Sequence, residues 1–201
     1  MGAVTAVVAA STLKRNSSSD SRLLAAIPAI FAVHLFASAL VWLGLSAKLP
    51  SDALRLATDL YLFVAFVLWP TYIPICLIPI ERKLGRRIAL SFLALIGIFV
   101  SLSYLQAIAN GHGTANLEHL YVDFHVSNVP ALTGVLYFLT TCGAALVSSN
   151  RKIFIWAIAN LVIVLFLVST ENHGLPSLWC FWAAATSIWI WYLVPDYRNQ
   201  N

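Results

Sequence analysis

The sequence predicts an all-α membrane protein, a bundle of six to seven transmembrane helices with a short extracytoplasmic β-hairpin near residues 105–126. The first reason is composition: 60% of the 201 residues are hydrophobic, 10% are charged and the mean hydropathy is +0.83, whereas soluble domains carry roughly a quarter charged residues. The second is that the apolar residues form runs long enough to cross a bilayer. The third is one long polar interval, residues 110–130, whose second half alternates as a strand does.

Six apolar runs are predicted to span the membrane. A seventh run, 2–13, holds only about a dozen residues against the roughly 20 that a spanning helix needs, so we expect a tilted or partial helix there. The polar connections are too short to hold another domain, so residues 1–201 are expected to form a single bundle. The six spans are 23–45, 56–80, 88–108, 131–147, 153–169 and 178–194.

The span 56–80 contains Pro70, Pro74 and Pro79. Each proline removes a backbone donor and obstructs the preceding turn, so this helix is expected to be kinked or broken between residues 69 and 80. A break leaves two alternatives open. The freed carbonyls line a binding site, as in transporters, or the kink only improves helix packing.

The basic residues predict the orientation of the bundle. Ten of the twelve Lys and Arg fall in connections on one side, and only Lys48 and Arg55 fall on the other. The positive-inside rule places the first side in the cytoplasm. We therefore expect a multi-pass protein of the plasma (inner) membrane with a cytoplasmic C-terminus and an external hairpin. The ten residues are Lys14, Arg15, Arg22, Arg82, Lys83, Arg86, Arg87, Arg151, Lys152 and Arg198.

The polar interval 110–130 predicts the hairpin. Gly111 and Gly113 supply the positive φ angles of a tight turn, with residues 105–109 as the first arm. From residue 117 to residue 126 polar and apolar residues alternate, which places every second side chain on the same face. The polar face carries His119, Tyr121, Asp123 and His125, and the apolar face carries Leu120, Val122, Phe124 and Val126.

Residues at the predicted outer end are candidate metal ligands. Asp123 and His125 are two residues apart on one strand face, and Glu171 and His173 repeat that carboxylate-x-His spacing before the last span. Imidazole and carboxylate together suit a divalent metal such as zinc. The alternative is a solvated polar face, and the choice depends on which face of the hairpin meets the bundle. The candidate metal set is His119, Asp123, His125 and His173.

His34, Asp123 and Glu171 are the candidate catalytic residues. His34 lies near the middle of its span, where an ionisable side chain is costly and usually faces a cavity or the bundle interior. Asp123 and Glu171 are carboxylates at the outer end, suited to acid/base chemistry. For His34 the structural alternative is a neutral imidazole hydrogen-bonded to a neighbouring helix.

Aromatic residues concentrate in the last span. Trp and Tyr favour the headgroup region, so the two ends of this helix are expected to be interfacial. Phe181 and Trp182 are expected to pack inward, and a slot for an isoprenoid or a chromophore is the alternative. The aromatic residues are Trp179, Phe181, Trp182, Trp189, Trp191 and Tyr192.

Three stretches, HLFASALVWLGL from His34, TCGAALVSSNRKI from Thr141 and SLWCFWAAATS from Ser177, resemble a bacterial family of uncharacterised seven-helix integral membrane proteins, a domain of unknown function. The resemblance covers most of the chain after about residue 20. In that family the first helix is longer and opens with a Cys-Phe-Ser segment that is absent here. The family histidine is followed by Gln at the next position and Glu at the fourth, where this sequence has Leu35 and Ser38. The resemblance implies seven helices and an outer hairpin, and no activity.

Two functional hypotheses follow. The first is a small membrane-embedded enzyme that acts on a lipid or isoprenoid at a polar His/Asp/Glu site on the outer face. The alternative is a non-catalytic accessory or ligand-binding subunit of a membrane complex, so the expected partners are the lipid bilayer, a lipid or isoprenoid ligand, or a membrane protein. The net charge of +4 comes from clusters beside apolar runs, which orient a membrane protein, so no nucleic-acid partner is expected.

Overall fold

The computed structural model describes residues 1–16, 18–118, 121–170 and 175–194. Over these ranges the chain is 79% helical, with seven helices and one two-stranded antiparallel sheet. The helices are α1 (Gly2–Arg15), α2 (Arg22–Leu45), α3 (Ser51–Leu77), α4 (Leu84–Ala109), α5 (Ala131–Val147), α6 (Arg151–Thr170) and α7 (Leu175–Thr186, continued after Ser187 as Ile188–Leu193). The strands are β1 (Gly113–Leu117) and β2 (Val122–Val126).

Four helices, α2, α3, α4 and α6, are long and apolar enough to cross a membrane by length and composition. α5 is a shorter apolar helix, and α1 has 14 residues and packs along α2. Much of the outward surface of the helices is apolar, and on α4 the side chains of Phe92, Leu95 and Phe99 are exposed. Soluble monomeric proteins rarely expose large contiguous apolar patches.

The irregular part of α3 lies earlier than residues 69–80, so that prediction is corrected. A π-helical segment occupies Phe63–Leu68, and Trp69–Leu77 is α-helical. The reason is that a proline disturbs the turn before it. Pro70 has no N–H, and its ring displaces the carbonyl four residues earlier. Pro79 lies just beyond the end of α3, where residues 78–80 form a turn.

Two carbonyls of the π-helical segment accept hydrogen bonds from other helices. The Tyr137 hydroxyl of α5 donates to the Ala65 carbonyl over 2.6 Å, and the Ser101 hydroxyl of α4 donates to the Val67 carbonyl over 2.5 Å. A buried carbonyl without such a donor costs free energy. The two bonds join α3 to α4 and α5, so these carbonyls serve helix packing.

The hairpin begins later than residue 105, which corrects its predicted first arm. Residues 105–109 are the last residues of α4, and the helix ends at a glycine cap. Gly111 has a φ of +78°, and its N–H donates to the Ile108 carbonyl over 2.9 Å. Glycine stops helices in this way because it adopts positive φ without strain. The first arm is Gly113–Leu117 instead.

The alternating stretch 117–126 is divided between two strands. β1 and β2 pair antiparallel in a register that places Leu117 opposite Val122. Just beyond the strands, the Glu118 N–H donates a hydrogen bond of 3.0 Å to the Tyr121 carbonyl. The alternation of polar and apolar residues does not show this division into two strands. A single extended segment without a neighbouring strand would leave its backbone groups without partners.

The apolar face of β2 meets the helices. Val122, Phe124 and Val126 are buried, Asp123 is half-buried and His125 is exposed. The hairpin contacts α2, α3, α4 and α7. Of the two orientations that the sequence left open, the structure has the apolar face inward.

Most of the Lys and Arg lie in connections at one end of the bundle. Three contacts join these connections to one another or to the end of α7. This end of the bundle lies away from the hairpin, because the hairpin packs against the second half of α2 and the first half of α3. The contacts join the Ser149 hydroxyl to the Glu81 carboxylate over 2.7 Å, the Trp189 indole N–H to the Lys152 carbonyl over 3.2 Å, and the Arg15 guanidinium to the Trp191 ring at 3.9 Å.

Candidate functional site

A cavity of about 50 Å³ lies inside the helix bundle. Its walls come from five helices, α2, α3, α5, α6 and α7, and consist mainly of aromatic rings and small apolar side chains. We call this space the inner lobe. The lining residues are Phe31, Trp69, Ile73, Tyr137, Thr141, Cys142, Ala145, Trp156, Ala157, Asn160, Trp179, Cys180 and Ala183.

A second cavity, the outer lobe, has a volume of about 150 Å³ and adjoins the first. The two lobes share Tyr137, Trp179 and Cys180 as walls. Leu175 and Pro176, at the start of α7, line the outer lobe, so it extends toward the hairpin end of the bundle. Together the two lobes are the aromatic cavity.

The rings that wall the aromatic cavity are ordered by contact with one another. Phe31 and Trp69 stack with centroids 4.4 Å apart at an interplanar angle of 29°. Tyr137 and Trp179 meet edge to face at 5.9 Å and 77°. Such contacts stabilise a particular orientation of the rings in addition to the stabilisation from burial. The rings that line the cavity are therefore held in fixed positions.

Most polar side chains that line the inner lobe already make hydrogen bonds within the protein. These bonds leave the lobe largely apolar toward any occupant. They run from the Tyr137 hydroxyl to the Ala65 carbonyl (2.6 Å), from the Thr141 hydroxyl to the Tyr137 carbonyl (2.8 Å), from the Trp156 indole N–H to the Thr186 hydroxyl (3.2 Å), and from the Asn160 amide N–H to the Trp156 carbonyl (2.8 Å).

Two of the tryptophans that line the cavity have an indole nitrogen without a hydrogen-bond partner within the part of the chain that the structure describes. The nitrogens are Nε1 of Trp69, whose side chain is only 4% exposed, and Nε1 of Trp179. Both nitrogens are buried, and a buried N–H without a partner costs about 1–3 kcal/mol. Each unpaired group in a folded protein therefore needs a reason.

His34 belongs to a stack of three rings that extends to the cavity wall. Its ring is 4.0 Å from the ring of Tyr61, which in turn is 3.4 Å from the ring of Phe124 on β2. His34 is fully buried, and neither ring nitrogen has a partner among the described residues. The expected hydrogen bond from His34 to a neighbouring helix is thus not formed with them. The Tyr61 hydroxyl lies beside the Cys180 thiol, so the stack reaches the cavity wall.

The structure separates the described members of the candidate catalytic set. His34 stacks within the core under the apolar face of β2, whereas Asp123 lies on the other face of that strand. The third member, Glu171, lies outside the described residues, as do His119 and His173.

The metal hypothesis is tested only in part. Within the residues that the structure describes, no group of three or more His, Cys, Asp or Glu is placed to hold a metal ion. Asp123 is half-buried and His125 is exposed, and their two proposed co-ligands fall outside the described ranges. A divalent metal site and an enzymatic activity at the outer face therefore stay predictions, and metal analysis of the purified protein tests them.

Sequence reasoning found part of the aromatic cavity and missed the rest. It singled out Trp179 on the last helix, but not Trp69, Tyr137 or Trp156 on other helices. Pairs four residues apart, such as Trp156 with Asn160, share a helix face and were a usable signal. The sequence does not show which faces of different helices meet, and the cavity exists only where they meet.

Comparison with known proteins identifies the family of this chain but indicates no activity. The whole chain, residues 1–201, matches a family model whose description is "Family of unknown function (DUF6629)", and the chain belongs to that family. No curated protein and no solved structure matches it.

Proposed function

We propose that this protein is a multi-pass membrane protein that binds a lipid or isoprenoid in the aromatic cavity. The observation that carries the proposal is the cavity itself, which lies between six helices and is walled by Phe31, Trp69, Tyr137 and Trp179. Ligand sites are concave, mostly apolar and aromatic, with few polar groups, and in helical bundles they lie between helices. Of the two functional hypotheses, this is the second one, in which the protein binds a ligand.

Membrane insertion is supported by the surface of the helices. Besides four helices of sufficient length and apolarity, the outward faces expose large apolar side chains, as at Leu102 on α4, Val135 on α5 and Leu165 on α6. In water this surface promotes aggregation, whereas in a bilayer it contacts lipid chains. A lipid-soluble ligand dissolved in the bilayer then reaches the protein directly from the bilayer.

The proposed orientation places the basic end in the cytoplasm and the hairpin outside the plasma (inner) membrane. It rests on the ten-to-two division of Lys and Arg and on the contacts that gather the basic connections at one end, such as Ser149 with Glu81. Positively charged loops are retained on the cytoplasmic side during insertion. The outer lobe of the cavity then lies toward the external half of the bilayer.

Two glycine substitutions test the proposal. Gly134 lines the outer lobe, and a Cβ atom built there meets nothing within 4 Å, so Gly134→Leu extends a side chain at the lobe without a backbone clash. Gly85, at the start of α4, is equally open and lines neither lobe, so Gly85→Leu is the matched control. The assay is organic extraction of the purified protein in detergent, followed by mass spectrometry of the lipid-soluble compounds.

The expected result is one lipid-soluble compound at near-stoichiometric amount in the wild type and in Gly85→Leu. Gly134→Leu is expected to retain several-fold less, because its side chain occupies the volume that the ligand needs. Equal retention by both variants, or no specific compound in the wild type, contradicts a ligand site in this cavity.

A further inference from the structure

We infer that a polar groove at the hairpin end of the bundle binds an uncharged group rich in hydroxyls, such as a sugar ring. The groove has a volume of about 270 Å³, near the lower end of the range for small-molecule sites, about 300 Å³. It shares no lining residue with the aromatic cavity, so this inference goes beyond the proposed function and is independent of it. The lining residues with hydrogen-bonding side chains are Ser103, Gln106, Asn110, His112 and Asn128.

One wall of the groove is the end of α4. Gln106, Ala107 and Asn110 follow Ser103 at three, four and seven positions, so the four residues lie on one face of the helix. The side chains of Gln106 and Asn110 are exposed, and their amides make no hydrogen bond with the described residues. The Ser103 hydroxyl donates to the Phe99 carbonyl over 2.9 Å and can still accept. This wall therefore offers two free amides and a hydroxyl oxygen to a ligand.

The opposite wall is held in place by hydrogen bonds. The Asn128 amide N–H donates to the His112 ring over 3.0 Å, and the Ser127 N–H donates to the His112 carbonyl over 3.0 Å. Asn128 has a φ of +59°, a left-handed conformation that asparagine adopts more readily than most residues do. The chain before α5 is thus tied to the turn after α4. A wall that is already ordered loses little conformational freedom when a ligand binds.

The lining determines which kind of ligand fits. A side-chain amide both donates and accepts hydrogen bonds, as a sugar hydroxyl does. The described lining residues include no Lys or Arg, and the groove lies at the C-terminal end of α4, where the helix dipole is negative, so a phosphate or carboxylate is disfavoured. They also include no Asp, Glu or aromatic ring, so a cation finds neither a counter-charge nor a cation–π contact. An uncharged hydroxylated group matches this lining best.

The groove lies beside apolar surface. Leu102 and Leu105, within one turn of Ser103 on α4, are exposed. In the proposed membrane protein this surface contacts lipid chains, and the groove then lies at the boundary between lipid and water. The hydroxylated group can therefore belong to a glycolipid headgroup or to a free saccharide. Both sources present the same chemistry, so the experiment includes both.

The test is NMR spectroscopy of the protein in phosphatidylcholine nanodiscs, with ¹⁵N in the side-chain amides of Asn and Gln. Four probes are compared: methyl glucoside, inorganic phosphate, methylammonium, and glucosyl diacylglycerol incorporated in the nanodiscs. Gln106→Ala and Asn110→Ala each remove one free amide and assign its resonance. Asn116→Ala is the matched control, because this exposed amide lies on β1 and does not line the groove.

A sugar probe is expected to shift the side-chain amide resonances of Gln106 and Asn110 in a saturable way, whereas phosphate and methylammonium leave them in place. Gln106→Ala and Asn110→Ala are each expected to weaken sugar binding about threefold to tenfold, the loss that one net hydrogen bond produces. Asn116→Ala is expected to bind as the wild type does. A response to both sugar probes supports binding of a free saccharide, and a response to the glycolipid alone supports binding of a lipid headgroup.

Other results overturn the inference. If neither sugar probe shifts the two amides, the groove is an ordinary hydrated surface. If phosphate or methylammonium shifts them at the same concentration as the sugar does, the assignment to an uncharged group fails. If Gln106→Ala and Asn110→Ala both bind the sugar as the wild type does, the sugar binds elsewhere. None of these results concerns the compound retained in the aromatic cavity, so the proposed function is tested separately.

Discussion

The ring of Phe124 stacks on the ring of Tyr61 with centroids 3.4 Å apart and an interplanar angle of 11°. Phe124 belongs to β2, and Tyr61 belongs to the α-helical part of α3 before its π-helical segment. The two side chains are each 1% exposed. Because His34 stacks on the same Tyr61 ring, this contact fixes the hairpin to the helical core rather than leaving it as a separate outer feature.

Replacing Phe124 with alanine should detach the hairpin from the helices. Truncating a buried Phe typically costs about 3–5 kcal/mol, and a two-stranded hairpin is at best marginally stable on its own. Hydrogen exchange should show that the amides of Gly113–Leu117 and Val122–Val126 lose protection while the helices keep theirs. His125→Ala, on the exposed face of the same strand, should leave the protection of these amides unchanged. Unchanged protection in Phe124→Ala means that other contacts hold the hairpin.

The helices were predictable because a long apolar run between polar connections satisfies all its backbone groups within one segment when it is helical. The hairpin was only half predictable. Gly111 signals either a turn or a helix stop, and the apolar residues 105–109 fit a helix end as well as a strand. The length of α4 decides between them, because its 26 residues continue without interruption to Ala109.

The aromatic cavity was largely unpredictable for a different reason. The polar pattern indicates a candidate site only at the hairpin, where Asp123 and His125 alternate with buried apolar residues. The cavity instead forms only where six helices pack together, and two of its wall residues, Trp69 and Trp179, are 110 positions apart in the sequence. Periodicity within one helix does not encode such a meeting.

Gly97→Ala should destabilise the protein, because α4 approaches the backbone of α3 at this glycine. A Cβ atom at Gly97 overlaps the carbonyl oxygen of Pro70 and lies 3.1 Å from the Cα atom of Thr71. Overpacking of this kind costs about 1–3 kcal/mol, measurable as a lower free energy of unfolding in mixed micelles. Gly85→Ala is the control, since its Cβ meets nothing within 4 Å, and it should be neutral or stabilise by up to about 1 kcal/mol. Equal stability of the two variants is inconsistent with this close approach.

Reporter fusions should confirm the proposed orientation. Fusions after Arg87, after Lys152 and at the C-terminus should report the cytoplasm, and a fusion near Gly113 should report the external side. The physical reason is the retention of positively charged connections on the cytoplasmic side. A cytoplasmic signal at Gly113 reverses the orientation, and with it the external position of the hairpin.

Glu81 should make stability depend on pH. Burial by itself raises the pKa of this carboxyl, but hydrogen bonds from the Ser149 hydroxyl and from the N–H groups of Ser149 and Lys83, together with the charge of Arg86, hold the pKa below its ordinary value of 4.5. A carboxyl whose pKa is lower in the folded state stabilises the fold fully at pH values above its unfolded pKa. This contribution is lost as the pH falls through the folded pKa.

Thermal unfolding between about pH 7 and pH 3 should therefore show a loss of stability on acidification that is smaller in Glu81→Gln. Glu81 has little accessible surface, 4%, so the hydrogen bonds from Ser149 take the place of hydrogen bonds to water. Ser149→Ala removes the hydroxyl donor but keeps the backbone N–H bond, and it should cost about 1–2 kcal/mol at neutral pH and less once Glu81 is protonated. Ser91→Ala is the matched control, because that exposed hydroxyl donates only to the carbonyl of Arg87 within its own helix, and it should leave both the stability and its pH dependence unchanged. An identical acid profile for the wild type and Glu81→Gln would show that the carboxylate does not join the two basic connections.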